Sequence, residues 1–241
     1  YYQNIVKAMN WYTEDNLSKL GKPVDRGEWF MSPQTVNAYY NPTTNEICFP
    51  AAILQPPFYN PDADDAVNYG AIGVVISHEM THGFDDQGRH FDKDGNMSDW
   101  WTEEDAAAFK ERTDILVEQF NEVEVLPGVH ANGALCLGEN IADQGGLRIA
   151  YTAMKDSFGG KEPAPVDGFT AEQRFYLAYA TLWAQNITDE EIARLTKLDV
   201  HSLGNNRVNV TVRNLRTFFD AFGIKEGDRM FRPEDERVVI W

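Results

Sequence analysis

The chain has few cysteines and no long apolar run. Its 241 residues include only two cysteines, Cys48 and Cys136, whereas small secreted domains held together by disulfides carry more. The pair could form one disulfide or remain as two free thiols, and the sequence leaves both possibilities open. Apolar stretches stay shorter than the ~20 residues that cross a bilayer, so we expect no membrane-spanning segment in this chain.

Basic residues are scarce relative to acidic ones. The chain has 21 Lys and Arg against 38 Asp and Glu, which gives a formal net charge of −17. Nucleic-acid binding needs clusters of basic side chains that replace the counterions around phosphates, so this balance argues against a nucleic-acid partner. Solubility is the simplest interpretation of the acidity, and a preference for cationic ligands is the alternative.

The N-terminal residues lack the basic and apolar segments of a signal peptide. They predict instead an amphipathic helix from about residue 3 to residue 20, in which Ile5, Met9 and Tyr12 share a face and Gly21 marks the end. A chain that opens directly into a helix suggests a fragment of a longer protein. With no internal repeat and no long linker, we expect residues 1–241 to form one domain.

The pattern of predicted elements indicates an α+β fold that is mostly α-helical. Strand signals are limited to residues 35–40 and 46–49, and the turn between them predicts a hairpin. Periodicity and capping residues predict helices near residues 62–84, 102–121, 139–158, 171–185, 189–198 and 211–222.

The strongest chemical signal is His78-Glu79-Met80-Thr81-His82. Residues four apart share one face of a helix, so both imidazoles can bind one Zn²⁺ while Glu79 lies beside the metal. The alternative is a helix that carries two surface histidines. The apolar run before His78 favours a buried helix, and a buried glutamate needs a partner such as a metal ion.

A second segment, Gly138-Glu139-Asn140-Ile141-Ala142-Asp143, supplies carboxylates four residues apart. A catalytic zinc site has three protein ligands, and Glu139 is the candidate for the third. Asp143 and Asp85 are candidates for the carboxylates that orient the ligand histidines through the free ring nitrogens. Taken alone, the second segment would more often be a solvated acidic helix face, and the histidine motif is what favours the metal interpretation.

His201 and Arg207 form a weaker constellation. Amide hydrolysis passes through a tetrahedral oxyanion, and a histidine and an arginine near the metal could stabilise it and hold substrate carbonyls. From spacing alone, both residues are more often found on the surface.

Together these segments resemble the neprilysin family of zinc metallopeptidases. The likeness rests on Val36–Tyr40, His78–Asp86, Gly138–Asp143 and the closing Trp241, which occur in register over nearly the whole chain. It implies a thermolysin-like zincin catalytic domain with a small sheet. The sparse cysteines and the ending Val238-Val239-Ile240-Trp241 depart from the vertebrate members and favour a bacterial one.

The resemblance also implies a role for each site residue. His78, His82 and Glu139 match the ligands of one Zn²⁺ per chain, and Glu79 matches the general base. Asp143 and Asp85 match the carboxylates that orient the ligand histidines. His201 matches the hydrogen-bond donor to the transition state, and Arg207 matches the arginine that binds a substrate carbonyl. Asn37 and Ala38 match the edge segment that pairs with the bound peptide.

The expected activity is zinc-dependent endopeptidase cleavage of oligopeptides on the amino side of hydrophobic residues. Family members are longer, so the expected partners are peptide substrates and the N-terminal remainder of the same protein, which caps the active site. The resemblance suggests a bacterial cell envelope location, with the cytoplasm as the alternative. The rival functions are an impaired fragment that acts as a zinc-containing peptide-binding module, and an esterase that uses the same ligands.

Overall fold

The computed structural model describes all 241 residues and divides them into two compact units, residues 1–32 and 33–241. The first unit holds helix α1, Tyr2–Ser18, none of whose side chains is buried. The predicted N-terminal helix is confirmed and ends two residues before the expected boundary.

The second unit is built from eight α-helices, short helical turns and two small hairpins. A π-helical turn, Tyr69–Gly73, joins α2 to α3, and a 3₁₀ turn, His82–Phe84, extends α3. None of the helices combines the length and apolar character needed to cross a bilayer. The helices are α2 Asp65–Asn68, α3 Val74–Thr81, α4 Glu103–Asn121, α5 Leu137–Ser157, α6 Ala171–Leu182, α7 Asp189–Leu198, α8 Gly204–Val212 and α9 Arg216–Phe222.

The predicted hairpin is present and shorter than expected. Strands β1, Tyr39–Asn41, and β2, Glu46–Cys48, pair antiparallel with Tyr40 opposite Ile47. A second hairpin, β3 Glu124–Leu126 with β4 Val129–His130, was not predicted, because strands of two or three residues show too little alternation to be recognised. Both cysteines are free thiols.

The prediction of one continuous helix over residues 62–84 is wrong in detail. The helical path begins after Asp64, whose side chain accepts hydrogen bonds from the backbone N–H groups of Ala66 and Val67. It widens at the π-helical turn, where α6 approaches so closely that a Cβ on Gly70 would lie 2.1 Å from the carbonyl oxygen of Phe175. Such π-turns are frequent near functional sites, and this one directly precedes the histidine helix.

The predicted helix over residues 211–222 is also wrong, because two helices, α8 and α9, occupy residues 204–222. The chain turns between them at Asn214, a buried residue whose amide is used in tertiary hydrogen bonds. Its Oδ1 accepts from Gln119 at 3.0 Å and from the backbone N–H of Val238 at 3.0 Å. Those bonds replace the helical continuation that the apolar periodicity predicted.

Helices α3 and α5 cross in close contact, and this crossing positions the site. Two glycines of α5 allow it. A Cβ on Gly145 would fall 2.6 Å from the side chain of Thr81, and a Cβ on Gly146 would fall 2.9 Å from the carbonyl oxygen of Val74. Behind the crossing, α5 and α6 bury a core that includes Leu147, Met154 and Phe175.

Candidate metal centre

The α3–α5 crossing brings three of the predicted ligands together. The Nε2 atoms of His78 and His82 lie 3.0 Å apart. Glu139, in the first turn of α5, places Oε2 at 3.2 Å from His78 Nε2 and Oε1 at 3.6 Å from His82 Nε2. All three candidate ligand atoms lie within 4.8 Å of one another, so these residues could hold one metal ion.

The unsatisfied atoms of this cluster fit a zinc ion. Glu139 Oε2 is buried and has no hydrogen-bond partner, although buried carboxylate oxygens are normally paired. It faces two imidazole nitrogens, and two nitrogens with one carboxylate oxygen is a ligand set that catalytic zinc takes in proteins. A cation at the shared focus would satisfy all three atoms.

Two aspartates orient the histidine rings. His78 Nδ1 donates to Asp143 Oδ1 at 3.0 Å, and His82 Nδ1 donates to Asp85 Oδ2 at 2.7 Å. Asp85 is fixed in turn by the backbone N–H groups of Gln87 and Gly88, at 2.8 and 2.7 Å. With Nδ1 carrying the proton of the neutral imidazole, Nε2 of each ring is available to the centre as a candidate metal ligand.

Arg207 is a buried partner of the same cluster. Its Nε and Nη2 each donate to Asp143 at 2.7 Å, which is a bidentate pair, and Nη2 lies 3.7 Å from Glu139 Oε2. The guanidinium stacks on the indole of Trp183 at 3.8 Å from the ring centroid. Helix α8, which the sequence did not predict at this position, holds Arg207 in place, and Nη1 is left for another acceptor.

Burial and neighbouring charges shift the pKa values of Asp143, Glu139 and His78 in opposite directions. Burial raises the pKa of Asp143, but Arg207 and His78 outweigh it and hold that pKa well below its usual range. Burial likewise raises the pKa of Glu139, yet the nearby imidazoles, His78 foremost, bring it to about 2. For His78, burial lowers the pKa, and the neighbouring carboxylates of Asp143 and Glu139 raise it to about 9.

Glu79 lies on α3 between the two histidines and is 6% exposed. Burial raises the pKa of its carboxyl, and the charges of His78 and His82 offset only part of the rise. A carboxylate with a raised pKa binds a proton more readily than an ordinary one does. Glu79 therefore has the position and the basicity for proton transfer within the cleft.

His201 reaches the cluster from the loop before α8. Its Nε2 lies 3.4 Å from Glu139 Oε1, and its Nδ1 and backbone N–H both donate to Asp199 Oδ1, at 2.7 and 2.9 Å. Ser202 Oγ donates to Asn140 Oδ1 at 2.8 Å, which ties the loop to α5. Asp199 was missed as a site residue, although an acidic residue two positions before a histidine is a detectable signal.

These residues line one cleft of about 420 Å³. Asn37 and Ala38 lie on its rim just before β1, Asn37 exposed and Ala38 buried. The remaining wall is largely apolar, which suits an apolar side chain of a ligand. Its residues include Ile53, Phe58, Val74, Val75, Leu182 and Trp183, most of which looked like ordinary core positions in the sequence.

Comparisons with known proteins show which family the chain resembles. The sequence model of peptidase family M13 matches residues 37–238. Human neprilysin is 40% identical over 246 residues, which cover 100% of this chain and 32% of neprilysin. The neutral endopeptidase of Lactococcus lactis subsp. lactis is 40% identical over 240 residues, which cover 100% of this chain and 36% of that enzyme.

A solved structure has the same fold. The Mycobacterium tuberculosis zinc metalloprotease ZMP1, crystallised with an inhibitor, superposes with a TM-score of 0.92 and 49% sequence identity, over 95% of this chain and 36% of that one. The expected fold, mostly helical with a small sheet, is thereby confirmed. The chain spans about a third of the length of the curated relatives that it matches.

Proposed function

The chain belongs to peptidase family M13, the neprilysin family, and from this premise we propose that it is the catalytic part of a zinc-dependent endopeptidase. The observation that carries the proposal is the convergence of His78, His82 and Glu139 in a cleft that also contains Glu79. A structural zinc site is closed by four protein ligands, whereas this cluster has three and opens into a cavity.

Each candidate ligand histidine is held by an aspartate that suits the proposed role. Asp143 and Asp85 keep the Nε2 atoms of His78 and His82 free for one Zn²⁺. When bound, zinc supplies Lewis acidity toward the scissile carbonyl and lowers the pKa of water in the site. The relatives' names, neprilysin and neutral endopeptidase, support a peptide bond as the bond that is cleaved.

The chain's own side chains perform the remaining steps. Glu79 accepts a proton from the attacking water and delivers it to the leaving amine, because it is buried beside the ligands and its pKa is raised. His201, oriented by Asp199, donates from Nε2 to the developing oxyanion. Arg207 holds a substrate carbonyl through Nη1, and Asn37 and Ala38 pair with the peptide backbone at the rim of the cleft.

The apolar wall of the cleft supports cleavage on the amino side of hydrophobic residues. Val74, Val75 and Leu182 lie beside the catalytic cluster and would surround an apolar side chain there. Because the chain spans about a third of its relatives, we propose that an N-terminal remainder completes the substrate-binding cavity of the whole protein.

The variant Glu79→Gln tests this function. It keeps the shape of the side chain but removes its basicity, so we expect peptide cleavage to fall by about 10²–10⁴-fold while one zinc per chain is retained. The measurements are cleavage of a peptide mixture followed by mass spectrometry, and metal content by elemental analysis.

Three outcomes would contradict the proposal. Retained cleavage in Glu79→Gln would remove Glu79 from the mechanism. Zinc-dependent peptide binding without any cleavage by the wild type would support the rival binding module, and cleavage of ester but not amide substrates would support the rival esterase. Loss of cleavage on chelation and its return with zinc is the matched control.

A further inference from the structure

A second cavity, of about 400 Å³, lies away from the metal centre and is lined by three arginines. Arg148 comes from α5, Arg216 begins α9, and Arg237 belongs to the C-terminal tail after Pro233. The other lining residues include Tyr151, Thr152, Asn214, Thr217 and Glu234. Three guanidinium groups around one cavity are unusual in a chain with a net charge of −17.

Two of these arginines lack a close counter-ion. Arg148 is exposed on α5 and forms no ion pair. The Arg237 side chain is only 10% exposed, and its one acidic neighbour, Glu234, is 3.8 Å away with a side chain that is 92% exposed. Arg237 Nε is buried and has no hydrogen-bond acceptor.

The third arginine is already paired. Arg216 Nε donates to Asp220 at 2.9 Å on the surface of α9, with both side chains mostly exposed. Such exposed pairs contribute little to stability and are easily rearranged. The cavity therefore has an excess of positive charge that comes mainly from Arg148 and Arg237.

Arginines that line a cavity without a close counter-ion leave guanidinium N–H donors available to an anion. Guanidinium groups present paired donors that match the oxygens of a phosphate or a carboxylate. Three guanidiniums from three elements line this cavity, and the four oxygens of a tetrahedral anion can accept from more of them at once than the two oxygens of a carboxylate. We propose that this cavity binds an inorganic phosphate or the phosphate group of a small molecule.

The three arginines come from α5, α9 and the C-terminal tail, so an anion bound between them would link these three segments. Gln144 of α5 ties down the C-terminal tail, because its Nε2 donates to Val238 O at 2.9 Å and its Oε1 accepts from Ile240 N at 2.8 Å. A phosphate held by Arg148, Arg216 and Arg237 would link the same tail to α5 and also to α9. Bound phosphate therefore stabilises the packing of α5, the helix that carries Glu139 and Asp143.

Thermal unfolding of the zinc-loaded protein tests the proposal, with phosphate as the probe and chloride at matched ionic strength as the reference. At about five times its Kd, we expect phosphate to raise the Tm by about 2–4 °C, because a ligand of the native state stabilises by mass action. Acetate supplies a carboxylate at the same concentration, and equal stabilisation by acetate would overturn the assignment to phosphate.

Substitutions of the lining arginines test whether phosphate binds in this cavity. Arg148→Gln and Arg237→Gln should each weaken phosphate binding at least about tenfold in calorimetric titration, since each removes a charge-assisted contact. The matched control is Arg194→Gln on α7, which removes the same charge from an exposed arginine paired with Glu191 and should leave the Kd unchanged.

Arg148 is exposed, so Arg148→Gln decides the question even if Arg237→Gln fails to fold. Phosphate binding that survives in Arg148→Gln at the wild-type Kd, or a wild type that phosphate does not stabilise beyond chloride, would overturn the proposal. The first result would place the phosphate elsewhere, for example at the metal.

Discussion

Asp143 links the candidate metal centre to the substrate side of the cleft. One of its oxygens accepts from His78 Nδ1, and both accept from the guanidinium of Arg207. A carboxylate shared between two cationic partners keeps its own charge and fixes the orientation of both. We infer that this one residue holds in register the proposed metal ligand His78 and the proposed carbonyl-binding group Arg207.

His201 is the residue whose proposed role can be separated most cleanly from metal binding. We expect His201→Gln to lower kcat by about 10²–10³-fold, because one donor to the oxyanion is lost. The zinc Kd should change little, since His201 contacts Glu139 only at 3.4 Å and is not among the three clustered ligands. Steady-state kinetics and a zinc competition titration measure the two quantities.

Asp199→Asn is the companion variant, because it alters the orientation of His201 and leaves the imidazole in place. Its loss of kcat should be smaller than that of His201→Gln. A His201→Gln protein that loses zinc and activity together would show that this histidine supports the metal and does not act on the oxyanion.

The sequence predicted the site residues whose spacing reflects a single helix. His78 and Glu79 lie on α3 and His82 directly follows it, while Glu139 and Asp143 lie on α5, so a period of four was enough to select them as candidates. Trp183 gave no comparable signal, because an aromatic residue at the end of an apolar helix usually indicates core. Its stacking on Arg207 depends on where α8 packs, and that is a tertiary property.

At the scale of secondary-structure elements, the α3–α5 crossing determines whether the ligands converge. The sequence predicted both helices, but their close approach depends on Gly145 and Gly146. In the sequence, a glycine inside a helix indicates only a low helix propensity. The errors in the predicted elements have the same origin. The π-turn before α3 and the break between α8 and α9 both occur where tertiary contacts outweigh helical periodicity.

Gly146→Ala tests the crossing directly. The added Cβ would lie 2.9 Å from Val74 O and 3.1 Å from His78 N, so the helices must separate. We expect a loss of about 1–3 kcal/mol in the free energy of unfolding from overpacking. The zinc Kd should weaken about 10–100-fold, as when the partner of a ligand histidine is disturbed, because His78 moves relative to Asp143.

Gly73→Ala is the matched control for that substitution. Its nearest neighbours would be 3.4 Å away, an ordinary contact distance, so the zinc Kd should stay at the wild-type value. Urea unfolding and zinc competition titrations measure both variants. A Gly146→Ala protein with unchanged zinc affinity would show that the close crossing is not needed to align the ligands.

At the scale of the whole molecule, the metal centre links stability to pH. In the metal-free protein the pKa of Glu139 is lowered to about 2 and that of Asp143 is lowered as well. Their stabilisation is therefore present above the ordinary carboxyl range and is lost as the pH falls through the lowered values. His78 has the opposite sign, because its pKa is raised from 6.5 to about 9.

The stabilisation from His78 is complete below pH 6.5 and is lost as the pH rises through about 9. We therefore expect the Tm of the chelator-treated protein to decrease as the pH is raised from 6.5 to 9.

Zinc binding must displace the His78 proton, so the affinity of the protein for zinc should rise by up to about tenfold per pH unit from pH 6.5 to 9. The difference in Tm between zinc-loaded and metal-free protein should consequently widen from pH 6.5 to 9, as measured by calorimetry in buffers that do not bind zinc. A difference that narrows over this interval would mean that His78 carries no proton in the metal-free protein.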